Sequence, residues 1–227
     1  MKRDYLNGTP YTIRQGEGMF HFNSDTELLG SFMKIHAGDS LLDIGTNNGA
    51  LLFYGASKGA GTLTGIDLFE ETTELAAENM ESNHLHADLR TIRLQDFRHD
   101  PFDAIVCNPP YFHSENDSLK KENPFLKAAR HDDYLPVEDL ACHCERLLKE
   151  HGKIFLVYRP SAMMRLIHAF EKYALYPERM RMVYASVNKP ARSVLIAFGR
   201  KNNPDLVVER PAFLDDRNSF GWKEENS

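Results

Sequence analysis

The tetrapeptide Asn108-Pro109-Pro110-Tyr111 holds the residues whose types and spacing are best suited to chemistry in this chain. Two consecutive prolines remove two backbone donors and fix φ, and each keeps the residue before it extended. The product is a stiff ledge with one side-chain amide, carbonyls that no local donor claims, and one aromatic face. A planar –NH2 on a flat ring fits such a ledge. The Asn108 amide oxygen and the Pro109 carbonyl each accept one of its hydrogens, while Tyr111 stacks on the ring. An exocyclic amine is a poor nucleophile because its lone pair is delocalised into the ring. Acceptors on both hydrogens draw the nitrogen toward a pyramidal geometry and localise that pair. No charged base is then needed, provided the electrophile is as strong as a methyl on a sulfonium. Taken alone, the same four residues fit a Pro-Pro turn that ends a strand, with Tyr111 as packing.

The elements that must position the ledge are legible around it. Phe102 to Cys107, directly before it, is a short apolar run that reads as a buried strand. Ser40 to Ile44 is another, closing at Gly45, after which Thr46, Asn47, Asn48 and Gly49 lead into a helix from Ala50 to about Lys58. The spacing Asp43-x-Gly45-x-x-x-Gly49 is sparser in glycine than a dinucleotide fingerprint. It sets a carboxylate at a strand end and lets backbone approach a ligand over two glycines, which suits a cationic ammonium better than a pyrophosphate. Thr62 to Asp67 is the next strand, and Asp67 follows Gly45 by 22 residues, close to the roughly 20 expected for an acid that bonds a ribose diol. Leu89 to Leu94 is a further strand ending at Gln95-Asp96-Phe97, where Asp96 can accept from an adenine amino group and Phe97 can stack on that ring. Lys153 to Tyr158 follows, and Met180 to Val187 pairs with Ser193 to Gly199 as a closing antiparallel hairpin.

Helices alternate with these strands. Asn23 to Glu27 opens one, with Ser24 and Glu27 at capping-box spacing, which leaves Asp25 open to another role. Glu70 to Ser82, Pro136 to Lys149 and Ser161 to Tyr173 supply others, and residues 1–22 read as an extended arm. The alternation predicts an α/β fold: a doubly wound, Rossmann-like, mostly parallel seven-stranded sheet with an antiparallel C-terminal hairpin. Ligands of such sheets bind beyond the carboxyl ends of the strands, where Asp43, Gly45, Asp67, Asp96 and Asn108 all fall. One domain is expected over 1–227, with an arm and helix to residue 35, a core over 36–200 and a tail from 201.

Composition bounds the setting. With 42% hydrophobic and 26% charged residues the chain is ordinary for a soluble protein, and neither a membrane-length apolar run nor a signal-peptide core is present. The three cysteines lack disulfide or zinc spacing. Cys142-His143-Cys144 falls in a predicted helix, where side chains two apart diverge, so no metal is expected and the thiols fit a reducing cytoplasm. The net charge of −6 excludes a simple nucleic-acid coat, yet residues 151–201 carry ten Lys/Arg against two Asp/Glu. That segment, with Arg159 and Arg165, is expected to face a polyanion. The long polar stretch from Phe112 to Leu135, bearing Lys120, Lys121 and Arg130, is expected to act as a substrate lid beside the ledge.

The chain resembles the class I S-adenosylmethionine-dependent methyltransferases. Asp43-Ile44-Gly45-Thr46-Asn47-Asn48-Gly49 is similar to their cofactor loop, and Asn108-Pro109-Pro110-Tyr111 to the motif of amino methyltransferases. More narrowly it resembles the family that methylates N6 of an adenine in the anticodon loop of a valine tRNA. That similarity includes Phe20, Asp25 and Leu28-Leu29 before the loop and Ala129-Arg130-His131 after the ledge. The resemblance implies that Asp43, Gly45 and Gly49 hold the methionine portion of the cofactor, and that Phe20, Asp25, Thr46, Asn47, Asn48 and Asn108 also bind the cofactor. It implies Asp67 with Leu68 for the ribose, Asp96 with Phe97 for the cofactor adenine, and Asn108, Pro109 and Tyr111 for the target base. Asn47 stands where that family more often has glycine, and asparagine tolerates the left-handed geometry. A protein glutamine-N5 methyltransferase would use the same ledge, since a glutamine amide is also a planar –NH2. A DNA adenine methyltransferase and a non-catalytic RNA-binding relative are further readings.

Overall fold

In the computed structural model, residues 3–16, 22–109, 135–202 and 205–220 are described. Three neighbouring strands of one sheet carry the chemistry-bearing turns. The central strand β3 (Ser40–Ile44) pairs in parallel with β4 (Thr62–Asp67) on one side and β6 (Phe102–Cys107) on the other. Strand β5 (Asp88–Thr91) extends the sheet beyond β4, and β7 (Leu148–Tyr158) extends it beyond β6. The closing hairpin β8 (Tyr176–Tyr184) and β9 (Ala191–Gly199) joins antiparallel, with β9 against β7. The order β5-β4-β3-β6-β7-β9-β8 therefore reverses direction between β3 and β6, and this switch point is where a crevice opens at the strand ends.

The sheet has nine strands rather than seven. The expected tail supplies β10 (Val207–Val208) and β11 (Ala212–Phe213), which both lie parallel along β8. The expected arm is likewise structured, as a hairpin of β1 (Arg3–Tyr5) and β2 (Thr12–Arg14). Side-chain amides replace a neighbouring strand there. Asn79 exchanges hydrogen bonds with both Arg14 N and Arg14 O, and Asn83 does the same with Thr12.

Period-two alternation divides the core into two layers. Leu42, Ile105, Leu156 and Ile196 face helices α4 (Val137–Leu147) and α5 (Met163–Glu171). Leu41, Val106, Phe155 and Leu195 face α1 (Ser24–Phe32) and α2 (Ala50–Ser57). A sheet covered on both faces requires continuous apolar runs, which is why β6 and β9 read so plainly in sequence. Helix α3 (Glu70–Ser82) flanks β4 and β5. No helix among the described residues is long and apolar enough to cross a membrane.

Several local expectations shift. Asn23, not Ser24, caps α1, its Oδ1 accepting from the backbone of Asp25 and Thr26, while Glu27 accepts from Asn7 instead of closing a capping box. Helix α4 stops at Leu147 because β7 begins immediately, before Gly152. Strand β5 ends at Thr91, three residues short of Leu94, because Arg93 to Phe97 winds into a helical turn.

Candidate active site

One cavity of about 540 Å³ lies along the carboxyl ends of the parallel strands. Its first wall is the turn after β3. Gly45 and Gly49 adopt φ of 75° and 85°, and Asn47 joins them at 50°, so asparagine holds the left-handed position as expected. A Cβ on Gly45 would meet nothing within 4 Å, so the turn is open there to a ligand, whereas one on Gly49 would press on Met80 at 3.3 Å. Gly45, Thr46, Asn47 and Asn48 all line the cavity.

Polar atoms at and beside this turn lack partners. Among the described residues, seven buried side-chain atoms lack a hydrogen-bond partner, and five of them belong to Asp43, Thr46, Asn47 and Asn48. Asp43 lies in β3 just before the turn, 1% exposed and off the cavity lining itself, with neither carboxylate oxygen bonded. Burial pushes its carboxyl up to about 7, opposed by the nearby Thr46 hydroxyl and reinforced by the charge of Asp67. An unpaired buried carboxylate is costly, and a cation in the cavity relieves it.

Asp67 forms the next wall. Its Oδ2 accepts from Asn47 N at 2.9 Å, and its Oδ1 from Leu68 N at 2.7 Å and Phe69 N at 3.3 Å. Burial raises its carboxyl and these backbone donors oppose the rise. The carboxylate is thus fixed in orientation with lone pairs left toward the cavity. Leu68, Phe69, Ile92, Leu94 and Gln95 continue the lining.

Asp96 and Phe97 are not part of this wall, contrary to the sequence expectation. The helical turn from Arg93 rotates Phe97 into the core, fully buried and stacked 6.5 Å from Phe102, while Asp96 is exposed and off the lining. The lining there is instead apolar, made by Ile92 and Leu94 with Gln95 as its polar group.

Across the switch point stands the ledge. Asn108 and Pro109 line the same cavity as the Gly45 turn. Asn108 Nδ2 donates to Thr26 Oγ1 at 3.2 Å, which leaves its Oδ1 as the end available to a ligand. Thr26 is a residue the sequence reading missed, because nothing in local spacing links positions 82 residues apart. Asp25, buried and on the lining, accepts from Ser193 Oγ at 2.8 Å. Arg159 and Arg192 also line the cavity, whereas Arg165 points to Glu138 at 3.5 Å and does not. Phe20, Pro110, Tyr111, Lys120, Lys121 and Arg130, with most of the expected lid, lie outside the described residues. Cys144 is a buried core thiol of α4 and Cys142 is half-buried, as their spacing implied.

This donor set fits S-adenosylmethionine. The unpaired carboxylate and polar turn suit its charged methionine end, Asp67 its ribose hydroxyls, and the Ile92–Leu94 lining its adenine.

Comparison with known proteins agrees with that geometry. A family model described as the methyltransferase small domain matches residues 10–132. A protein of Aeromonas salmonicida named tRNA1(Val) (adenine(37)-N6)-methyltransferase is 30% identical over 184 residues, covering 79% of this chain and 77% of its own. One of the same name from Vibrio vulnificus is 29% identical over 194 residues, covering 83% and 80%. Among solved structures, a T. thermophilus 16S rRNA N2 methyltransferase in complex with AdoMet and guanosine superposes with a TM-score of 0.63 at 20% identity. It covers 88% of this chain and 50% of that one. A crevice built this way, under a match that spans more than half of the sequence, makes the chain a member of the methyltransferase small domain family.

Proposed function

We propose that this chain is an S-adenosylmethionine-dependent adenine-N6 methyltransferase acting on tRNA, at the adenine 37 of tRNA1(Val) that its relatives' names specify. One observation carries the reading: Asn108 and Pro109 share a single cavity with the Gly45 turn, and Thr26 holds the Asn108 amide with its oxygen free. When bound, S-adenosylmethionine supplies a methyl group on a sulfonium, electrophilic enough to need no metal or charged base.

The residues of the chain do the rest. Asn108 Oδ1 and the Pro109 carbonyl accept the two hydrogens of the adenine amino group and localise its lone pair toward the cofactor turn. Methyl transfer from a bound cofactor would release its sulfur as a neutral thioether and leave the nitrogen one proton in excess, which the same acceptors would pass to water. Asp43 and the polar turn orient the cofactor, and Asp67 fixes its sugar. The base must leave its stack to reach the ledge. A cytoplasmic setting, with the three free thiols reduced, belongs to the same proposal.

The test offers labelled S-adenosylmethionine with total tRNA, total protein and duplex DNA in separate incubations. Label in tRNA supports the proposal. Label confined to protein makes this a glutamine methyltransferase using the same ledge, and label in none refutes catalysis.

A further inference from the structure

The ten basic residues of 151–201 do not form one cationic face. Lys153 is paired with Glu178 at 2.6 Å, and Arg200 with Glu145 at 2.9 Å. Arg179 and Arg181 share Glu209, each at 2.6 Å, where they pin β10 to β8. Four of the ten charges that looked like a docking surface are therefore spent on holding the fold.

Arg159 and Arg192 of the same segment both line the cavity. Their placement follows from register. Tyr158 faces Val194 across β7 and β9, so Arg159, just past β7, and Arg192, just inside β9, neighbour each other at the strand ends. Cys107 faces Leu156 across β6 and β7, which puts Asn108 on the adjacent strand end. The two guanidiniums thus flank the half of the cavity beyond Asn108, away from the Gly45 turn. Arg192 is exposed and makes no ion pair or hydrogen bond among the described residues.

An adenine whose amino group meets Asn108 must leave its sugar and phosphates at the cavity mouth. We propose that Arg192, with Arg159 beside it, clamps the backbone phosphate adjoining the extruded nucleotide. The inference rests on the proposed function and deepens it: it assigns the substrate's anionic contact to two residues rather than to a basic segment. Guanidiniums suit this task because their planar fork binds phosphate oxygens in pairs. Contact to a phosphate also contributes binding free energy that offsets the cost of unstacking the base.

The experiment measures binding of a tRNA1(Val) transcript across a salt series for wild type, Arg192→Gln, Arg192→Lys and Lys172→Gln. Lys172 caps the far end of α5 and serves as the basic control. Arg192→Gln is expected to weaken binding about three- to tenfold at low salt and to lower the salt slope by about 0.7 to 0.9, one phosphate's worth. Arg192→Lys should restore the slope but not all of the affinity. Lys172→Gln should match wild type, and the cofactor Kd of all four proteins should agree within about twofold, as befits a contact to RNA alone. A slope unchanged by Arg192→Gln, in a wild type that methylates the transcript, overturns the clamp and leaves the function standing. A loss of slope equal in Lys172→Gln overturns it as well, since charge anywhere would then suffice. A wild type that labels no RNA removes both the function and the clamp.

Discussion

Asp43→Asn should make the free protein more stable at neutral pH while weakening its hold on the cofactor. The reasoning starts from a carboxyl pushed up from 3.8 to about 7 by burial without a partner. Below about pH 3 it is protonated in both folded and unfolded chains, and its favourable contribution is fully present. As pH rises toward 7 the unfolded chain releases the proton and the folded chain does not, so stability falls. At about 1.4 kcal/mol per pH unit, the loss reaches at most about 4 kcal/mol above pH 7. Asparagine keeps the shape and cannot ionise, so the variant escapes that loss. The gap between variant and wild type should open from near zero at about pH 3, through about 1 kcal/mol at pH 4.5, to as much as about 4 kcal/mol at pH 8, or about 2 to 4 °C in Tm per kcal/mol. Other carboxyls titrate in both proteins, including Asp103, which Lys149 and Ser40 hold down at about 2, so the difference isolates Asp43. Cofactor affinity should move oppositely. A cation favours the ionised carboxylate, so the wild-type Kd should fall about tenfold from pH 6 to 8, a dependence the variant loses. Urea unfolding and calorimetry across that range supply both curves. A stability gap that is constant with pH, or a variant less stable at pH 8, refutes the reasoning.

Asn108→Ala should lower single-turnover methyl transfer at least about 100-fold, by analogy with loss of one polarising hydrogen bond, while calorimetry shows the cofactor still bound. Equal loss of both would show that Asn108 serves the pocket rather than the amine. Thr26→Val keeps the side-chain shape but removes the acceptor for Asn108 Nδ2, and should cost about fivefold to tenfold in kcat with a smaller change in cofactor Kd. An unchanged kcat would mean that the amide is oriented without Thr26. Gly45→Ala places a methyl into the open turn at a φ of 75°, and should cost about 1 to 2 kcal/mol of stability together with most of the cofactor affinity. Wild-type affinity in that variant would place the ligand elsewhere.

Much of the site was legible because it rests on local rules. Buried strands announce themselves as apolar runs, left-handed turns as glycine or asparagine, and a proline pair as rigid backbone, so Asp43 to Gly49, Asp67 and Asn108 could be placed at strand ends. What failed depended on contacts between distant segments. Asp96 and Phe97 sit where a strand end would carry them to a ligand. The chain instead winds into a turn after Thr91, because Phe97 packs against Phe102 and Arg90 covers its ring at 5.6 Å. The basic segment looked like a surface because charge counts cannot show that Glu145, Glu178 and Glu209 meet its residues across the fold. Thr26, in α1, carries no local mark of its task, since its partner lies 82 residues away, just past β6. The strands of the tail went unforeseen because two-residue strands such as β10 and β11 are too short to show a period.

The central claim is that neutral acceptors on Asn108 and Pro109 prepare an exocyclic amine of adenine for methylation. Mass spectrometry of nucleosides from a tRNA1(Val) transcript treated with the protein and S-adenosylmethionine tests it most directly. The account predicts N6-methyladenosine approaching one per transcript, absent when adenine 37 is replaced by guanine and absent with Asn108→Ala. A methyl on a ring position such as N1 or C2 would contradict it, because those atoms offer no pair of hydrogens to the two acceptors.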